Sequence, residues 1–240
     1  MDTPVRNTAV HEALDGSGPS ALTIVVPVLN AAATLKGALN AVAGQDVVVV
    51  DGGSHDDSVA IATATGGRVV ASKPGRGGQL AAGAFAATGN WLLFLHGDTC
   101  LATGWQAEVK DFIETPANRE RAAVFRFRLD DAGWRARVMA RGVALRARLL
   151  GLPYGDQGLL IHRALYDALG GYRLLPLMED VDLVRRIGRA RLAFFETEAV
   201  TSAARYRRDG YTVRAGRNLV CLMLYLVGAR ISLIRRVYGA

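Results

Sequence analysis

Apolar positions along the chain fall into runs of two kinds. Some are short and unbroken: Leu22-Thr23-Ile24-Val25-Val26-Pro27-Val28, Val47-Val48-Val49-Val50 behind Asp46, Val69-Val70-Ala71 behind Arg68, and Trp91-Leu92-Leu93-Phe94-Leu95. Such runs predict strands buried on both faces, as in a parallel sheet covered by helices. Between them, residues 31–43, a stretch capped by Ser54 or Asp56 and running to Ala64, and residues 80–87 predict helices. Strands alternating with helices imply right-handed crossovers and a Rossmann-like, nucleotide-binding half-domain.

The second half is patterned differently. After a helix over residues 105–114 and a loop over 115–118, residues 122–129 end in alternating apolar and basic positions, the mark of a strand with one wet face. Residues 133–152 read as a helix with Val138, Leu145, Leu149 and Leu152 on one face and Arg137, Arg141 and Arg148 on another. Such a helix either packs on the core or lies on an anionic membrane surface. Short strands are expected at 159–161 and 192–196, with a helix ending over 166–171. Arg205, Arg207, Arg208 and Arg214 crowd an expected loop with Tyr206 and Tyr211. Residues 219–229 form the most apolar stretch, but Arg230 ends it short of the roughly 20 residues a spanning helix needs. Residues 1–20 mix charges with Gly, Ser and Pro and read as a loose tail without a leader's apolar segment.

Composition adds two constraints. The net charge of +7 comes almost wholly from arginine, since only Lys36, Lys73 and Lys110 are lysines. That balance favours anionic partners: nucleotide diphosphates, acidic lipid or nucleic acid. Cys100 and Cys221 are isolated, which gives neither a disulfide framework nor a metal-site spacing and points to the cytoplasm.

Candidate chemistry gathers at strand ends, where open α/β sheets bind ligands. His96-Gly97-Asp98 stops the fourth run, and a carboxylate there can hold Mg²⁺ or Mn²⁺ against a phosphate. The plainer alternative is Asp98 as the cap of a helix starting near Thr103. Asp51, before Gly52-Gly53, can accept hydrogen bonds from a base or ribose, or simply form a tight turn. The glycine-rich segment Ser72–Gln79, bearing Lys73 and Arg76, suits an anion, although it matches neither a P-loop nor Gly-x-Gly-x-x-Gly. Asp180 can take a proton from an attacking hydroxyl, and a nearby Glu179 or Asp182 would raise its pKa. The same acids would also suit a helix N-terminus.

These residues resemble a known family. Val25–Asn30, Val50-Asp51-Gly52-Gly53-Ser54-His55-Asp56 and His96-Gly97-Asp98-Thr99 resemble the donor half of family 2 glycosyltransferases. Tyr154-Gly155-Asp156-Gln157-Gly158 and Met178-Glu179-Asp180-Val181-Asp182 resemble its acceptor half. The likeness is nearest to a small standalone bacterial branch described as radical-SAM/selenodomain-associated. It implies a single-domain α/β protein with the glycosyltransferase-A fold: a mostly parallel sheet, a nucleotide-sugar half over 21–115 and an acceptor half over 116–240. It also implies inverting transfer from a UDP- or GDP-type sugar to an acceptor hydroxyl, with Mg²⁺ or Mn²⁺ as cofactor.

By that resemblance Pro27, Asn30, Asp51, Gly53, Ser54, Arg76, Gln79, Asp98 and Arg205 would bind the donor. Asp98, with His96, would hold the metal. Gly155, Asp156, Gln157 and Glu179 would bind the acceptor, and Asp180 would be the base. Two features depart from the family pattern: His96 replaces the first acid of Asp-x-Asp, and the Gln-x-x-Arg-Trp motif of processive synthases is missing. The expected setting is cytoplasmic, with visits to the inner membrane surface for a lipid-linked acceptor. Among rivals, a pyrophosphorylase lacks its long glycine-rich loop here, and a methyltransferase leaves Asp98 and Asp180 idle. A sugar-nucleotide-binding protein without transfer is also open. Nucleic acid is not an expected partner, because few aromatics accompany the arginines.

Overall fold

A computed structural model describes residues 21–239; the expected tail over 1–20 lies outside them. Strand β1 (Leu22–Val28) is hidden along its whole length and sits between β2 (Asp46–Asp51) and β4 (Trp91–Phe94), parallel to both. Strand β3 (Arg68–Ala71) extends the parallel set beyond β2. Helices α1 (Ala32–Asn40), α2 (Ser58–Ala64) and α3 (Arg76–Ala86) make the connections. The crossover pattern expected from the apolar runs is present.

Beyond β4 the sheet continues through β7 (Leu159–His162), β6 (Ala122–Leu129), β8 (Leu192–Thr201) and β5 (Thr99–Leu101), giving the order β3-β2-β1-β4-β7-β6-β8-β5. One sheet therefore serves both halves, with antiparallel pairs on either side of β7. The remaining helices are α4 (Trp105–Glu114), α5 (Trp134–Leu150), α6 (Arg163–Ala168) and α7 (Glu179–Ile187), then α8 (Ala204–Asp209), α9 (Tyr211–Leu226) and α10 (Ile231–Tyr238).

The sheet separates two apolar layers. Ile24, Val26 and Leu93 face Leu35, Trp105 and Phe112 on one side. Val25, Val48, Leu92 and Phe94 face Leu80, Tyr166 and Leu183 on the other. Each such side chain taken fully from water contributes about 1.5–3 kcal/mol. Strand β6 has the expected wet face, where Arg126 and Arg128 both pair with Glu198 on β8.

Four expectations need correction. Helix α3 starts at Arg76, not Leu80, because Gly75 (φ 138°) makes the turn and Gly77 lies bare against the 173–175 backbone. The arginine-rich "loop" over 205–214 is helical, as α8 and the start of α9 around Gly210. Ser54 does not cap α2; its hydroxyl accepts from Asn30 N–H (2.9 Å), while Asp56 accepts from Ser58 N–H (3.0 Å). On α5, the residues turned inward are Ala136, Val143 and Ala147; Val138, Leu145 and Leu149 are exposed, and only Leu152 of the expected face is buried.

Candidate active site

Strand β4 delivers His96-Gly97-Asp98 to the carboxyl edge of the sheet. Leu95 N–H still bonds Val25 O (3.0 Å), after which the chain turns and forms β5 at once. Asp98 does not cap a helix: β5 intervenes, and α4 begins behind Gly104 without a side-chain cap. Its carbonyl accepts from Ser202 N–H (3.0 Å), and its carboxylate lies 3.8 Å from Arg205. Burial and the neighbouring Arg76 charge push the His96 imidazole down to about 4, so it is neutral near pH 7 with a lone pair to offer. A Cβ at Gly155 would stand 2.5 Å from His96 Nε2, so only glycine there lets the ring lie against the 155–158 turn.

The opposite wall begins at Met178, whose φ of 65° swings the chain into α7. Glu179, Asp180 and Asp182 occupy its first turn, where the helix dipole favours acids. Asp180 is fixed from two directions: Oδ2 accepts from Gly155 N–H (2.8 Å) and Oδ1 from Val181 N–H (2.8 Å). Glu179 is fully buried with Oε1 3.1 Å from Arg76 Nε, and neither carboxylate oxygen has a well-aligned hydrogen bond. Burial pushes Glu179 up to about 7, against the pull of Arg76 and helped by Asp180.

The other two acids near Asp180 differ. Asp182 is claimed by Arg173 (3.0 Å), Arg186 (2.6 Å) and the Tyr225 hydroxyl (3.1 Å), and it faces neither cavity. Asp156 points into the site with Oδ1 unpartnered, and burial pushes its carboxyl up to about 6.

Two joined cavities meet here. The larger, about 630 Å³ and ample for a nucleotide-sized ligand, is lined by Pro27, Asn30, Arg76, Gln79, His96, Asp98 and Arg205. Arg208, Arg214 and Arg217 add to its positive wall. The smaller shares Arg76, His96, Asp98, Arg205, Arg214 and Tyr238 with it and adds Asp156, Asp180, Tyr154 and Tyr206.

Of the other expected residues, Asp51, Gly53, Ser54, Gly155, Gln157 and Glu179 line neither cavity, and the loops that carry the lining residues are braced by hydrogen bonds. Asp51 turns onto its own loop, accepting from Gly53 N–H (3.0 Å) and Ser54 N–H (3.1 Å). Asn30 accepts from His55 N–H (2.8 Å), so the loops after β1 and β2 clasp each other. Gln79 braces the sheet edge through Val28 O (2.7 Å) and Val50 O (2.9 Å), and Gln157 donates to Phe125 O (3.1 Å). Sequence reading missed Asn218 and Tyr238; Arg214, left open between a diphosphate and a solvated surface, is buried and bonds the Tyr238 hydroxyl (2.7 Å). Nothing local marks the two missed residues: Asn218 lies on α9, and Tyr238 reaches the site through the return of α10 onto α9.

Among the described residues no group of three or more His, Cys, Asp or Glu is placed to hold a metal. Asp98 and neutral His96 fit a hard cation on narrower terms, with phosphates and water completing its shell.

A search of curated proteins returned no match. Among solved structures, the chain is similar to glucosyl-3-phosphoglycerate synthase from Mycobacterium tuberculosis, solved with Mn²⁺, UDP and glucosyl-3-phosphoglycerate. Identity is 20%, coverage 88% of this chain and 81% of that one, and TM-score 0.60. The mannosyltransferase PcManGT from Pyrobaculum calidifontis, solved with GDP-Man and Mn²⁺, is 17% identical over 85% of this chain and 63% of its own, with TM-score 0.64. S. aureus TarS 1–349 is 14% identical over 90% and 69%, with TM-score 0.59. At these identities the likeness is one of fold, and it is the glycosyltransferase-A fold. Residues 23–171, well over half of the chain, match the family described as Glycosyl transferase family 2, and the chain belongs to that family.

Proposed function

We propose that this glycosyltransferase moves a sugar from a UDP- or GDP-type donor to an acceptor hydroxyl with inversion, assisted by Mg²⁺ or Mn²⁺, and that it belongs to the standalone radical-SAM/selenodomain-associated branch. One observation carries the reading: Asp98 and Asp180 face a common cavity, one at the end of β4 and the other pinned by two backbone N–H groups. The half over 21–115 holds the nucleotide in the larger cavity, to which the half over 116–240 lends Arg205, Arg208, Arg214 and Arg217 while admitting the acceptor beside Asp156 and Asp180. Asp180 takes the proton as the acceptor oxygen bonds the anomeric carbon, and the bond from that carbon to the diphosphate breaks. Arg76 and Arg205 stabilise the charge gathering on the departing nucleoside diphosphate. A bound divalent ion, held by Asp98 and His96, would add further charge neutralisation there. The acceptor is presented at an anionic membrane surface, beside the helices α9 and α10 that wall the smaller cavity.

Calorimetry and nucleotide release with UDP- and GDP-sugars, with and without Mn²⁺, test this reading. Asp180→Asn keeps donor binding and loses at least about 10²-fold in turnover, donor hydrolysis included. In Asp98→Ala, Mn²⁺ no longer tightens nucleotide-sugar binding, while Tm holds. Wild-type release in the first variant would remove Asp180 as base, and Asp156, already in the cavity, would replace it.

A further inference from the structure

Helix α5 is built inside out. Its buried face is Ala136, Val143 and Ala147, while Trp134 (63% exposed), Val138, Leu145 (61%) and Leu149 form one outward stripe. Neighbouring α9 does the same: it buries Arg214, Cys221 and Leu222 and exposes Leu219 (59%), Val220, Met223 and Val227 (75%). Exposed apolar stripes on two helices that touch each other are the kind of surface that marks a contact site.

Charge narrows the choice of what covers it. Residues 132–155 and 210–240 contain no Asp or Glu. Arg135, Arg137, Arg141 and Arg148 lie exposed along α5, and Arg230, Arg235 and Arg236 are exposed at α10. Glu196 on β8, an exposed acid beside α5, already faces Arg148 (3.7 Å), so a second copy of these helices would set arginine mainly against arginine. An acidic bilayer supplies both missing partners, hydrocarbon for the stripes and headgroup charge for the arginines. No described helix is long and apolar enough to cross a membrane, so contact is at the surface.

We propose that the α5–α9 face docks on anionic lipid, with Trp134 entering the interface. Helix α9 sends Arg214 and Asn218 into the smaller cavity from the side opposite its exposed stripe, and α10 adds Tyr238, so the docked helix is also a wall of that cavity. This deepens the acceptor half of the function proposed above. Vesicle binding needs no sugar donor, however, so docking and transfer can fail separately.

The chain has three tryptophans, and Trp91 and Trp105 are already buried, which leaves Trp134 as an intrinsic reporter. The full-length protein is mixed with vesicles of pure phosphatidylcholine, or of equal parts phosphatidylcholine and phosphatidylglycerol, and assayed by co-sedimentation and tryptophan emission. Binding to the anionic vesicles alone, weakened by salt and accompanied by a blue shift, is expected. Trp134→Phe abolishes most of that shift. Replacing Arg137, Arg141 and Arg148 together by Gln weakens partitioning about a hundredfold, at about one headgroup interaction per arginine. The pair Leu145→Ser and Leu149→Ser weakens binding with Tm unchanged, which separates lost docking from lost folding. Absence of binding at low salt, equal binding to both vesicles, or a lipid-free blue shift that tracks a concentration-dependent rise in mass would overturn the proposal. The last outcome would assign the face to a second copy.

Discussion

Strand β4 and helix α5 both carry large apolar side chains, and the protein disposes of them in opposite ways. Trp91, Leu92, Leu93 and Phe94 are sealed between two helical layers. Trp134, Val138, Leu145 and Leu149 are turned to the outside while alanines take the interior of their helix. In β4 hydrophobicity holds the fold together. In α5 it is left over once the fold is complete, and is free to meet something else.

Truncation measures that contrast most directly. Leu93→Ala removes packing from a fully buried position and should cost about 2–5 kcal/mol by chemical denaturation. A loss below about 1 kcal/mol would mean the β4 layer is less tightly packed than its burial implies.

Gly77→Ala tests the seam between the halves. A Cβ there would stand 2.3 Å from Arg173 O and 2.6 Å from Leu175 O, both backbone atoms that cannot step aside. About 1–3 kcal/mol of destabilisation is expected, with nucleotide binding weakened as Arg76 shifts. Gly142→Ala on α5, where a Cβ meets nothing within 4 Å, is the matched control and should be neutral or mildly stabilising.

Asp156→Asn gives a smaller, pH-dependent effect in the protein free of metal and nucleotide. The folded carboxyl titrates near 6, above its ordinary 3.8, so folding favours the protonated form. Its ionisation therefore erodes stability as pH rises from about 4 through 6, and the penalty is complete above that window. The Asn variant should melt a few degrees above wild type at pH 8 and alike at pH 3.5. An equal gain at both pH values would remove the ionisation argument.

The smallest effect closes the series: Leu145→Ala should change stability by no more than about 0.5 kcal/mol. A loss comparable to that of Leu93→Ala would show the stripe to be covered in solution.

These contrasts explain which parts of the molecule were legible in the sequence. The parallel strands were, because burial on both faces leaves an unbroken apolar run, and the acids at their ends inherit a known position on the sheet edge. The motif at His96–Thr99 follows one of those strands, whereas Met178–Asp182 opens helix α7, where acids in a first turn are the local signal. The orientation of α5 was not legible, since apolar periodicity reports which residues share a face but not whether that face is covered. The helical state of 204–209, the three-residue β5 and the arrival of Tyr238 depend on distant contacts: Thr99 pairs with Thr201 in β8, and Arg214 holds the Tyr238 hydroxyl. His96 shows the same limit, since its place against Gly155 joins segments far apart in the chain.

The bare backbone at Gly77 also bears on how such enzymes can be recombined. Gly77 N–H bonds Leu175 O (3.2 Å), and its neighbour Arg76 grips Glu179 (3.1 Å), one residue before Asp180. The family match ends at residue 171, so the far side of this joint lies beyond it. A chimera that grafts a new segment after that boundary therefore inherits a fitting problem. The incoming chain must present two carbonyls to a glycine and a buried acid to an arginine, or its counterpart of Asp180 will sit beside a cavity it no longer touches.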